Sequence, residues 1–241
     1  MPYLLVGASA ATVAQSIASR LKTPLLRRVA PALALLVAPG CDCSMNGYAS
    51  AIARAPLPVA GFAMTWAAAC SPVSLFATHA ILGERLLWAR VAGTLVAAVC
   101  TSVGWSVLGR SNARACCDHR SSGASSAIDH FGNGALALVP AAAFAGIALT
   151  WWPNVLRAHA SAATSALLAA LLSPCSTADA VLARVLTASA GAQAAFVIAA
   201  QLLDARQLAL VVRVFGPARA GVAALSAALG CAVAVFVASP R

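Results

Sequence analysis

The stretch APLPVAGFAMTWAAACSPVSLFATHAILG, residues 55–83, contains no Asp, Glu, Lys or Arg. About 20 mainly apolar residues suffice for a helix to cross a bilayer, and this run is longer. His79 sits late in it. Pro72 follows Cys70 and Ser71. Proline removes a helix hydrogen bond and a donor, so the spacing predicts a kink at Pro72, with the Cys70 region turned toward the protein interior.

The same reading extends outward in both directions. Residues 1–19, 91–109, 131–156, 160–178, 185–203 and 220–240 form further apolar stretches, and the short runs 29–41 and 43–53 flank Asp42. Of the 241 residues, 61% are hydrophobic and 9% charged, with a mean hydropathy of +0.87. A soluble domain carries about 25% charged residues, so this chain lacks the charged skin that such a domain needs. Its apolar content excludes disorder. The class is an all-α, polytopic integral membrane protein whose main partner is the lipid bilayer.

The net charge is +10. Most of the cations fall in 20–28, at Arg54, and in 110–120 and 206–219, between the apolar runs. That distribution fits loops facing anionic lipid under the positive-inside bias. It is not a basic stripe interleaved with aromatics, so nucleic acid is not an expected partner. The N-terminus has no charged leader region and reads as a retained span. Trp151–Pro153 suits a membrane interface.

The chain divides into a first membrane repeat (1–109), a hydrophilic linker (110–130) and a second membrane repeat (131–241). Each repeat is expected to hold about three full spans and one broken or re-entrant segment. The broken segments read APGCDCSMNGYASAIAR in the first half and SPCSTADAVLAR in the second. Pairing Cys41–Cys43 with Cys175–Thr177 uses an offset of 134, which also pairs Phe62 with Phe196, and an offset of 133 pairs Gly83 with Gly216. An odd number of spans per half inverts the second repeat. In that arrangement the larger cation clusters share one side, with Arg85, Arg90, Arg157, Arg184 and Arg241 opposite. With re-entrant broken segments the positive-inside bias slightly favours this inverted arrangement; if those segments cross the membrane the cations divide more evenly, so the orientation stays open.

Paired, Gly/Pro-interrupted segments in corresponding halves point to a transporter binding site. Cys41, Asp42 and Cys43 place two thiols around a carboxylate at such a break. An intramembrane acid costs ~2.5–3.5 kcal/mol and is functional by default, whereas the plainer reading has Asp42 capping a half-helix. Thiolates are soft ligands that suit metalloids. Ser44 and Asn46 add polar groups downstream. Cys175, Ser176, Thr177 and Asp179 are the second-half counterparts. Asp179 is either a second acid at membrane depth or the interfacial partner of Arg184. Gln193 and Gln201 read as interhelical hydrogen-bond glue. Cys116 and Cys117, with Asp118 and His119, read as an exposed, reduced thiol pair in the linker. The chain holds eight cysteines and no Cys-x-x-Cys pair, so no resident metal or cofactor is expected. Gly-x-Ser-x-Gly, P-loop and His-Glu-x-x-His motifs are missing from the sequence, and an enzyme is not expected.

At these residues the chain resembles a family of predicted permeases that includes the trivalent organoarsenical efflux permeases. That family carries Pro-x-Cys-Ser-Cys in a broken membrane segment, repeated in the second half, with a run ending Thr-x-x-x-Leu-Gly after the first copy. PGCDC (39–43) is similar, with Asp42 in place of Ser, and ATHAILG (77–83) matches the later run. SPCSTAD (173–179) is similar to the second copy, with Thr177 in place of its second Cys, and PYLLVG (2–7) resembles the first helix. Ser44 stands where the family has Gly, and Tyr48 where it has Pro. The resemblance implies an inner-membrane permease exporting a soft, thiol-seeking solute by proton coupling. Cys41, Cys43 and Cys175 would hold a small-molecule or metalloid substrate, while Asp42 and Asp179 titrate. The sequence also leaves open a permease for another small or sulfur-containing solute, a non-transporting scaffold or accessory subunit, and a homo-oligomer.

Overall fold

The computed structural model describes residues 55–109, 161–172 and 178–239, together with short pieces at 29–30, 32–34, 36, 52–53 and 150. The short pieces at 29–30, 32–34 and 36 are helical. Eight longer helices follow: α1 (Leu57–Ala69), α2 (Pro72–Leu82), α3 (Glu84–Val107), α4 (Ala162–Leu172), α5 (Asp179–Leu186), α6 (Ala190–Leu202), α7 (Ala205–Phe215) and α8 (Pro217–Ala238). Among the described residues there is no strand. Among the described residues four stretches are long and apolar enough to cross a membrane: Leu57–Leu82, Glu84–Val107, Ala190–Phe215 and Pro217–Ala238.

Local chemistry sets the helix boundaries. Pro72 ends α1 and starts α2, with the Ser71 hydroxyl accepting from the Ser74 N–H at 3.3 Å. The expected kink is therefore a full break, with Cys70 buried beside it. Asp204 does the same work between α6 and α7, its carboxylate accepting from the Arg206 N–H at 2.8 Å. Gly83 ends α2 at φ 90°, ψ 175°, and Gly216 ends α7 at φ 95°, ψ 164°. This region is essentially reserved for glycine. A shift of 133 positions carries the bounds of α1 onto those of α6, α2 onto α7, and the start of α3 onto the start of α8.

Two expected boundaries move. The structure starts α3 at Glu84, so Arg90 lies inside the helix and is buried, not in a loop. Residues 205–215, expected between spans, are helical and continue the apolar stretch begun by α6. Arg90, Arg206 and Arg213, which the sequence places between apolar runs, are all helical.

Helices α3 and α8 run antiparallel and approach at backbone distance. A Cβ built on Gly93 would meet the Gly230 carbonyl oxygen at 2.6 Å, and one on Gly230 would meet that of Gly93 at 2.6 Å. Small residues permit such approach, and Ala97 and Ala234 flank the crossing. The direction follows from the ends. The Arg85 guanidinium reaches the Ser239 carbonyl, while Trp105 Nε1 donates to the Arg219 carbonyl at 3.1 Å. On their outer sides α3 exposes Trp88, Leu95 and Val103, and α8 exposes Leu225, Leu229 and Phe236.

Helix α6 occupies the centre, and every residue from Ala192 to Leu202 is buried. A helix apolar on all sides belongs inside. Helices α4, α8, α5, α3 and α1 pack around it.

Candidate functional site

The end of α1 creates the first half of the site. Proline at 72 cannot continue the hydrogen-bond ladder, so side chains take up the Ala69 carbonyl. Arg90 Nε donates to it at 2.6 Å and the Ser74 hydroxyl at 3.1 Å. Thr78 Oγ1 donates to the Ser74 carbonyl at 2.8 Å and accepts from Arg90 Nη1 at 2.8 Å. Two of the guanidinium's three nitrogens are thus tied to the α1–α2 break.

The third nitrogen meets the other half of the chain. Arg90 Nη2 stands 2.8 Å from Asp179 Oδ2, and both side chains are fully buried. Asp179 is the first residue of α5, where the helix dipole favours an acid. Gln201, near the end of α6, donates from Nε2 to the same Oδ2 at 3.1 Å. A buried ion pair persists only when its geometry and extra hydrogen bonds offset desolvation. Here Gln201 supplies one such bond, while Arg90 Nη2 lies at ion-pair distance from the carboxylate but outside hydrogen-bond geometry. Asp179 Oδ1 and Gln201 Oε1 remain buried with no hydrogen-bond partner.

Asp179 is the one predicted site residue within the described region. Its partner is Arg90 of α3, not Arg184, which is exposed on α5. Cys41, Asp42, Cys43, Ser44, Asn46, Cys175, Ser176 and Thr177 lie outside the described residues, as do the linker 110–130 and Cys116 and Cys117. Gln201 does join two helices, α6 and α5, while Gln193 donates to the Thr187 carbonyl just before α6 at 3.3 Å. His79 is exposed on α2.

Sequence reasoning missed Arg90. It stands at the charged edge of an apolar run, where an arginine normally faces headgroups. The signal was Gly83: a helix starting just after it places Arg90 nearly two turns inside. No group of three or more His, Cys, Asp or Glu side chains suited to a metal occurs among the described residues. A separate cavity of about 10 Å³ lies between Met64, Thr65, Trp105, Gln207 and Val211; it has room for about one water.

Comparison with family models, with curated proteins and with solved structures returns no match. The chain is therefore defined by its own features: its described residues are mainly helical, four stretches of them are long and apolar enough to cross a membrane, and a buried ion pair joins distant parts of the sequence.

Proposed function

We propose that the chain is a multi-pass permease of the cell inner membrane, exporting a soft, thiol-seeking solute such as a trivalent organoarsenical by proton coupling. The observation that carries this reading is the Arg90–Asp179 pair, fully buried where helices break. An ionisable pair is expensive among apolar helices and marks a substrate or proton path in membrane proteins. In this reading Cys41, Cys43 and Cys175 bind the solute through sulfur, with Ser44, Asn46, Ser176 and Thr177 around them. Asp42 and Asp179 carry protons.

Two inverted repeats complete the proposal. The 133-residue correspondence of α1–α2–α3 with α6–α7–α8 supports duplication. The antiparallel crossing of α3 and α8, the corresponding long helices, supports inversion. Alternating access then rocks one repeat against the other.

The test is resistance. The chain is expressed in cells hypersensitive to arsenicals and challenged with methylarsenite, beside Cys41→Ser and Cys43→Ser at matched levels. The expected result is resistance that vanishes with either thiol. Resistance that survives both substitutions would point to a solute recognised without sulfur. No resistance from well-inserted protein would remove the arsenical substrate.

A further inference from the structure

We infer that Asp179 and Gln201 form a binding site for one proton, and that Arg90 is the positioning residue that makes its occupancy felt between the two halves of the chain. The inference deepens the permease reading and rests on it for its use, since that reading already gives Asp179 a proton. What is new is where the proton sits, what shares it and what it releases.

The argument is one of donors and acceptors. Gln201 Nε2 donates to Asp179 Oδ2 at 3.1 Å, which brings the amide group beside the carboxyl group. The two oxygens left over, Asp179 Oδ1 and Gln201 Oε1, are buried with no partner in hydrogen-bond geometry, although the Ala180 N–H lies close enough to the carboxylate to favour its charged form. Both are acceptors, and an ionised carboxylate has no donor to offer. Buried acceptors in this state are costly. A proton on Oδ1 makes that atom a donor, and Oε1 of the facing amide is the acceptor it needs. Acid and amide then form two hydrogen bonds where carboxylate and amide form one. One proton resolves both unmet groups.

Arg90 reports the change. Its Nε and Nη1 stay bonded to the Ala69 carbonyl and Thr78 Oγ1 at the α1–α2 break. Only the Nη2 contact crosses to Asp179. Protonation neutralises the carboxylate and weakens that contact while the guanidinium keeps its other two bonds. Among the described residues few other groups compete. Helices α4 and α6 carry no titratable side chain; α2 carries His79, which is exposed; α5 adds Arg184, also exposed. From α3 the facing charge is Arg90, and the Cys70 thiol is buried near it.

The test uses the full chain in phospholipid vesicles, followed by infrared difference spectroscopy during an acid titration. The expected result is an acid-induced band of a protonated carboxyl that is missing in Asp179→Asn. In Gln201→Leu the band should shift in frequency, because its hydrogen bonds to the amide are gone. In Arg90→Gln the titration midpoint should rise by about 1–3 pH units, the size of a close opposite charge. Asp179→Asn leaves Arg90 buried and unpaired, so the neutral double variant Arg90→Gln/Asp179→Asn serves as a second band-free control. A wild-type spectrum with no band that Asp179→Asn removes would overturn the inference, as would a band unmoved by Gln201→Leu. The resistance assay separates the two readings. Resistance without the band leaves the permease and removes the proton site. The band without resistance leaves the proton site and removes the arsenical exporter.

Discussion

Replacing Gly93 by Ala tests the backbone-to-backbone approach of α3 and α8. The added Cβ would stand 2.6 Å from the Gly230 carbonyl oxygen and 2.9 Å from the Ala234 Cβ. The first obstacle is backbone and cannot rotate away, so α3 and α8 must separate. Overpacking of this kind costs about 1–3 kcal/mol. Alanine returns about 0.5–1 kcal/mol of helix stability relative to glycine, which leaves a net loss of about 0–2.5 kcal/mol, and of about 1–3 kcal/mol relative to an unhindered Gly→Ala change in the same helices. Gly230→Ala should lose a similar amount, because its Cβ would meet the Gly93 oxygen at 2.6 Å and the Ala97 Cβ at 2.9 Å. The double variant should lose less than the sum, since one separation relieves both clashes. Gly221→Ala is the control: nothing lies within 4 Å of its Cβ, so it isolates the helix gain. The assay is reversible unfolding in mixed micelles with increasing dodecyl sulfate. A Gly93→Ala protein as stable as Gly221→Ala would refute the close crossing of α3 and α8.

Gly83→Ala and Gly216→Ala should each cost about 1–3 kcal/mol in the same assay, through backbone strain alone. Nothing lies within 4 Å of either added Cβ, yet φ is 90° and 95°; an unchanged stability would refute the turn geometry. Arg90→Gln should cost about 3–5 kcal/mol, because it strands a buried carboxylate. Adding Asp179→Asn should recover part of that loss, and a double variant with strictly additive costs would mean the two side chains do not interact.

Much of the fold was legible because its causes are local. The apolar runs, the interruption at Pro72 and the pairing of Gly83 with Gly216 are each decided by a few neighbouring residues. Gly83 and Gly216 do share one backbone conformation. Boundaries were less legible where charge misled. Arg90, Arg206 and Arg213 looked like loop residues but lie in helices, because a long side chain reaches a partner or the surface from within a helix.

The chemistry divides in the same way. Composition alone determined that the chain builds apolar helices of membrane length, and an acid at position 179 among apolar residues already asked for a partner. Only the tertiary structure chose Arg90 over Arg184, brought Gln201 to the same oxygen, and set Gly93 against Gly230. Those pairs are far apart in the chain. Side-chain spacing along one helix reports which face a residue occupies, but it carries no information on which distant helix that face will meet.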